Sequence, residues 1–109
     1  MKRRTPARRG PSLGKVFARS ERMVGRRIAE EFVLVPLVGH GAQLDSIFNL
    51  NRVGTLIWQQ LDGRRAGEEI VAALVERFDV DRATAAADYR RFLGKLISIG
   101  AVTPVAGPR

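Results

Sequence analysis

Asn49-Leu50-Asn51-Arg52-Val53-Gly54-Thr55-Leu56-Ile57-Trp58-Gln59-Gln60-Leu61-Asp62-Gly63 is where the chain changes character. Upstream the apolar residues follow a strand period; downstream they follow a helical one. Asn51 suits an N-cap, because its side-chain oxygen can accept an otherwise orphaned amide of the first turn. The helix it opens is predicted to run to about residue 61. Val53, Ile57 and Leu61 recur at i, i+4 and i+8, and Leu56 and Trp58 widen the stripe. Trp58, the only tryptophan, falls inside that stripe and is read as core. Gly54 costs roughly 1 kcal/mol against alanine in an exposed helix. A close backbone approach there, such as strand against helix, would account for it. Asp62-Gly63 stops the helix.

Upstream of this stretch, residues 42–50 read as a strand. Leu44, Phe48 and Leu50 share one face with Ser46, and Asp45, Ile47 and Asn49 share the other. Gly39-His40-Gly41 connects it to residues 32–38, a strong strand signal through its β-branched residues. There Val33, Val35 and Leu37 face one way, Phe32 and Leu34 the other. Both faces are apolar, so helices cover both or one is shared with a partner. Pro36 cannot donate to a ladder and points to an edge, a bulge or a strand end. Residues 24–29 make a weaker strand, with Glu30-Glu31 as the hairpin turn. Residues 15–20 lead in, with Val16 and Phe17 against the core. Residues 1–14 are broken by Pro6, Gly10, Pro11 and Gly14 and read as a flexible arm, whose removal is expected to leave the fold intact.

Downstream, a second helix spans about 67–78. Ile70, Leu74 and Phe78 form its buried line, flanked by Val71 and Val75. Glu68 and Glu69 suit its N-terminal end. Asp79-Val80-Asp81 breaks the chain. A third helix spans about 82–99, with an apolar arc of Ala85, Ala86, Tyr89, Phe92, Leu93, Leu96 and Ile97. Gly100 ends it, Ala101-Val102-Thr103 adds a short strand, and residues 104–109 form a flexible tail. The expected class is α+β: a three-stranded antiparallel sheet followed by a three-helix unit, with a helix-turn-helix relation between the last two helices.

Composition narrows the function. The chain of 109 residues fits one small domain and contains no cysteine, so disulfides and thiolate metal sites are excluded. One histidine does not build a zinc site, and His40 is read as an exposed loop residue. No apolar run reaches membrane-spanning length, and no apolar h-region follows the basic start. The cytoplasm is the expected compartment. The net charge of +8 is uneven. Residues 1–27 hold ten Lys/Arg and one acid, Glu21, whereas residues 28–109 hold nine Lys/Arg and ten acids. The excess therefore sits in the first 27 residues, which weakens a phosphate-binding reading of the rest of the chain. No catalytic constellation appears. Glu30-Glu31 and Glu68-Glu69 read as solvated turn and helix-start acids, and no glycine run opens a helix as a phosphate loop does.

Binding remains. Leu50-Asn51-x-x-Gly54-x-x-Ile57-Trp58-x-x-Leu61-Asp62-Gly63, with Glu69-Ile70-Val71 and Asp88-Tyr89-x-x-Phe92-Leu93-x-x-Leu96, resembles the PqqD-like family over residues 24–102. The resemblance implies a winged-helix-like fold and a non-enzymatic role: recognising the leader of a ribosomally made precursor peptide. It implies that the leader adds a strand beside the third strand, against the third helix. The partner would be a radical S-adenosylmethionine maturase, a leader peptidase or another tailoring enzyme, and no cofactor is expected. Carried over, the peptide-binding residues are Gln43, Asp45, Ile47 and Asn49 on the strand, and Ala85, Asp88, Tyr89, Arg91, Phe92, Lys95 and Leu96 on the helix. The binding domain is expected over residues 15–103. Ala66 departs from the Thr or Ser frequent in the family before the second helix, so a side-chain capping box is lost there. Gly94 interrupts the third helix. The rival reading is a winged-helix DNA-binding regulator that uses the third helix, through Arg82, Arg90, Arg91 and Lys95, with the basic arm. A purely structural subunit is the third.

Overall fold

The computed structural model describes residues 13–37 and 48–105. In chain order these form β1 (Val16–Arg19), β2 (Met23–Ile28), β3 (Glu31–Pro36), β4 (Phe48–Leu50), α1 (Arg52–Gln60), β5 (Asp62–Ala66), α2 (Gly67–Phe78), α3 (Arg82–Ser98) and β6 (Val102–Val105). The α+β expectation holds: the antiparallel sheet β2–β3–β4 precedes three helices. The connection 38–47, and with it the start of the third predicted strand, lies outside the described residues.

The β2–β3 hairpin turns one residue earlier than expected. Ile28 pairs with Glu31, so the turn is Ala29-Glu30, with Ala29 left-handed at φ 58°. Pro36 is the last residue of β3, where its missing donor costs least. Leu34 is fully buried against the helices, with Phe32 half-buried beside it. The opposite face of β3 does not join the main core cluster. Val33 is buried outside the main core cluster, Val35 is half-buried, and Leu37 is exposed.

A second antiparallel sheet, β5–β1–β6, was only partly foreseen. The lead-in segment is its central strand, and Phe17 is buried as expected. The 101–103 segment lengthens into β6. Asp62-Gly63 does stop α1, but it also begins β5. That strand has a bulge: Val16 pairs with Ala66 and Ala18 with Asp62. Gly63 takes φ 83° there, and the Asp62 carboxylate accepts from the Arg64 and Arg65 amides at 2.9 and 3.1 Å.

The helices obey their end signals. The Gly54 amide donates to Asn51 Oδ1 at 2.8 Å, capping α1. At its other end, the Arg19 guanidinium donates to the carbonyls of Trp58 and Gln59, both at 3.0 Å. A cation at those C-terminal carbonyls also suits the helix dipole. Asp81 caps α3 by accepting from the Thr84 amide at 2.8 Å. At the C-terminus of α3, Gly100 at φ 74° donates to Ile97 and Ala101 donates to Leu96, the pattern of a Schellman stop.

At α2 the missing Ala66 cap is replaced. Glu69 Oε1 accepts from the Ala66 amide at 2.9 Å, which is half of a capping box. The other amides go to the lead-in chain: Glu68 donates to the Leu13 carbonyl at 3.0 Å and Gly67 to that of Lys15 at 3.2 Å. Leu13 also packs against the core. Leu13, expected within the arm of residues 1–14, therefore belongs to the packed structure.

The core joins both sheets to all three helices. Ile57, Trp58 and Leu61 of the α1 segment meet Ile70, Val71 and Leu74 of α2 and Leu93 and Leu96 of α3. Each such side chain, fully buried, contributes about 1.5–3 kcal/mol. Ile97 lies outside this arc and is 42% exposed, a correction to the expected apolar face. Gly25 marks the tightest packing. A Cβ there would lie 2.7 Å from the Phe32 ring and from Trp58 Nε1.

Candidate functional site

A groove of about 500 Å³ runs between β4 and α3. Leu34, Phe48 and Leu50 of the sheet form one side of it, and Val53 and Gly54 of α1 close its end. The α3 wall is Asp88, Arg91, Phe92, Lys95, Leu96 and Ile99. Its floor is apolar and its rim is charged. β4 is the terminal strand of its sheet among the described residues, so one row of its backbone groups has no strand partner there. Such an edge is a template for pairing with an added strand.

Local sequence sets each wall. Phe48 pairs with Leu34 and Leu50 with Phe32, which places both apolar β4 side chains on the inner face. Asn49 pairs with Val33 and points the other way. On α3, residues 88, 92, 95, 96 and 99 follow helical spacing and turn toward β4. The Arg91 guanidinium donates to Asp88 at 3.0 Å, so these two rim charges neutralise each other. Both are solvent-exposed, and the pair contributes little to stability. Phe92 lies over Gly54: a Cβ at position 54 would meet its ring at 3.3 Å. The close approach expected at Gly54 is therefore made by α3, not by a strand.

Of the sequence-derived site residues, Asn49, Asp88, Arg91, Phe92, Lys95 and Leu96 line this groove. Gln43, Asp45 and Ile47 lie outside the described residues. Ala85 and Tyr89 belong elsewhere. They are 1% and 0% exposed within the core, on the stripe of α3 that meets α2. The Tyr89 ring sits against Gly67, where a Cβ would come within 2.7 Å of it. Its hydroxyl finds no hydrogen-bond partner among the described residues, and burial pushes its pKa up to about 12. Positions 85, 89 and 93 mark the core side of α3 and 88, 92, 95 and 99 the groove side, while Leu96 joins the core and also lines the groove. Gly54 was the legible signal for the second set, because its helix penalty pointed to a close approach; Ile99, the last residue of the predicted third helix, was missed. Leu34, Phe48, Leu50 and Val53 carried no signal separating groove from core.

Among the described residues no group of three or more His, Cys, Asp or Glu is placed to hold a metal ion, and no helix is long and apolar enough to cross a membrane. The arrangement suits recognition of an extended chain with alternate apolar side chains.

Known proteins resemble this chain in sequence and in fold. The family model for coenzyme PQQ synthesis protein D (PqqD) matches residues 31–102. A solved structure of TbiB1 in complex with the TbiA(beta) leader peptide is 33% identical. It covers 83% of this chain and 99% of that one, with a TM-score of 0.65. A lasso peptide synthetase B1 complexed with the leader peptide is similar in fold, at 19% identity and a TM-score of 0.66 over 81% of this chain and 98% of that one. No curated protein matches the chain. The DNA-binding alternative finds no support in this geometry or these neighbours. The face of α3 beside Arg91 is the apolar wall of a groove, not a run of phosphate-binding side chains.

Proposed function

The chain belongs to the PqqD family, and from that premise we propose that it captures the leader of a ribosomally made precursor peptide on β4 and presents it to a modifying enzyme. The observation that carries this reading is the edge of β4 that no described strand pairs, beside an apolar groove walled by α3. The leader adds a strand through main-chain hydrogen bonds, which supply affinity with little sequence preference. Every second leader side chain then enters the groove against Phe48, Phe92, Leu96 and Ile99. The charged rim of Asp88, Arg91 and Lys95 adds selectivity more than affinity. The domain performs no chemistry. It raises the effective concentration of the core peptide at a tethered enzyme's site. That enzyme is a radical S-adenosylmethionine maturase, a leader peptidase or another tailoring enzyme.

Phe92→Asp tests the reading. Phe92 is half-buried on the groove wall, so the change places a carboxylate where an apolar leader side chain sits while leaving the core stripe of α3 intact. Calorimetric titration with the cognate leader should show affinity reduced by about tenfold or more, equivalent to roughly 1.4 kcal/mol. Circular dichroism should show the helices retained. Unchanged affinity in a folded variant would refute the groove assignment.

A further inference from the structure

A second groove, of about 760 Å³, opens beside Leu50 and Asn51. It lies between the tip of the β2–β3 hairpin, one side of α1 and the last turn of α2. It shares Asn49, Leu50 and Asn51 with the β4–α3 groove, so the two adjoin at one strand end. Half-buried Phe32, Leu50, Leu56 and Phe78 contribute its apolar surface. Arg27, Arg52 and Arg77 stand around it, against Glu30 and Glu31. None of these five joins an ion pair among the described residues. Arg27 lies 5.5 Å from the centre of the Phe32 ring, and Arg52 and Arg77 are exposed.

We infer that this second groove takes the flank of the same leader peptide, and that this flank carries a carboxylate beside an apolar side chain. The inference rests on the β4 reading above. An extended strand advances ~3.3 Å per residue, so the three described residues of β4 align only about 10 Å of ligand. A leader that continues past Leu50 and Asn51 runs into the second groove. Its apolar side chains meet Phe32, Leu56 and Phe78. Its carboxylate meets the guanidiniums of Arg52 and Arg77, whose planar donors match carboxylate oxygens. Three cations against two acids leave a positive surplus that an acidic flank neutralises. Because these charges are exposed, the contacts discriminate among leaders and weaken with salt.

The test is selection of displayed random linear peptides, long enough to cover both grooves, on the full chain. The expected peptides have alternating apolar residues with Asp or Glu enriched at one end. Their binding falls with Phe92→Asp at any salt. In the Arg52→Gln/Arg77→Gln variant it falls about fivefold at low salt and little at high salt. A spin label at the acidic end should broaden the amide signals of Arg52, Thr55 and Arg77. Peptides that depend on Phe92 but show no acidic enrichment, or no response to the arginine changes, would overturn the inference and leave the β4 reading standing. If no selected peptide depends on Phe92, both fall. Should the double variant not fold, each single arginine variant gives the same readout.

Discussion

Gly25→Ala sets propensity against packing. Replacing glycine by alanine inside a strand ordinarily gains about 0.5–1 kcal/mol, because glycine loses more freedom on folding. At position 25 the new methyl would lie 2.7 Å from two atoms of the Phe32 ring and from Trp58 Nε1. Real methyl groups do not sit that close, so a ring must move. Trp58 is 4% exposed and held in the core, which leaves half-buried Phe32 to shift. Overpacking of this kind costs typically 1–3 kcal/mol. The net expectation is a loss of about 1–2 kcal/mol, or roughly 5–15 °C in Tm for a domain of this size. Thermal unfolding followed by far-ultraviolet circular dichroism and tryptophan emission measures it. Phe32→Leu in the same chain should recover part of the loss, a coupling expected between residues in contact. An unchanged or raised Tm in Gly25→Ala would refute the packing argument.

Gly94→Ala should do the opposite, because a Cβ there meets nothing within 4 Å. Helix propensity then acts alone, and stability should rise by about 0.5–1 kcal/mol in the same unfolding assay. Removing residues 1–14 deletes the Leu13 carbonyl that accepts from Glu68 and the Leu13 side chain on the core. Denaturant titration should show that truncation less stable by about 1–2 kcal/mol than one removing only residues 1–12. Acid should weaken the start of α3. Hydrogen bonds from the Thr84 backbone and side chain hold the Asp81 carboxyl below its ordinary 3.8. A depressed folded-state pKa contributes stability that is present above the unfolded value and lost as pH falls through the folded one. Melting temperatures measured from neutral pH down through pH 4 and below should therefore fall less steeply in Asp81→Asn than in the parent chain; parallel curves would count against the cap.

Much of this architecture follows from local sequence. Asn51 and Asp81 cap because a short side-chain oxygen can reach an amide of the first turn whatever surrounds it. Helix α2 occupies 67–78 as its periodicity requires. Phe32 and Leu34 face the helices because alternation in a strand fixes which side chains share a face. The groove wall of α3 was partly legible for the same reason, since Asp88, Phe92 and Lys95 fall on one side of a helix.

The remainder was decided by tertiary structure. Asp62-Gly63-Arg64-Arg65-Ala66 has no strand propensity and becomes β5 only because β1 offers it a hydrogen-bonding edge. Ala66 carries no capping oxygen, yet α2 is capped by carbonyls that lie far away in sequence. Helical spacing alone does not separate Ala85 and Tyr89 from Phe92, because all three lie on one broad apolar arc. The arc divides only when α2 covers one part and the other borders an open groove. The sequence by itself determined which faces are apolar and where helices start and stop, through short-range geometry and solvation. Only the tertiary structure decided which of those faces is covered by the described helices and strands and which borders the groove beside β4, because that depends on what packs against it.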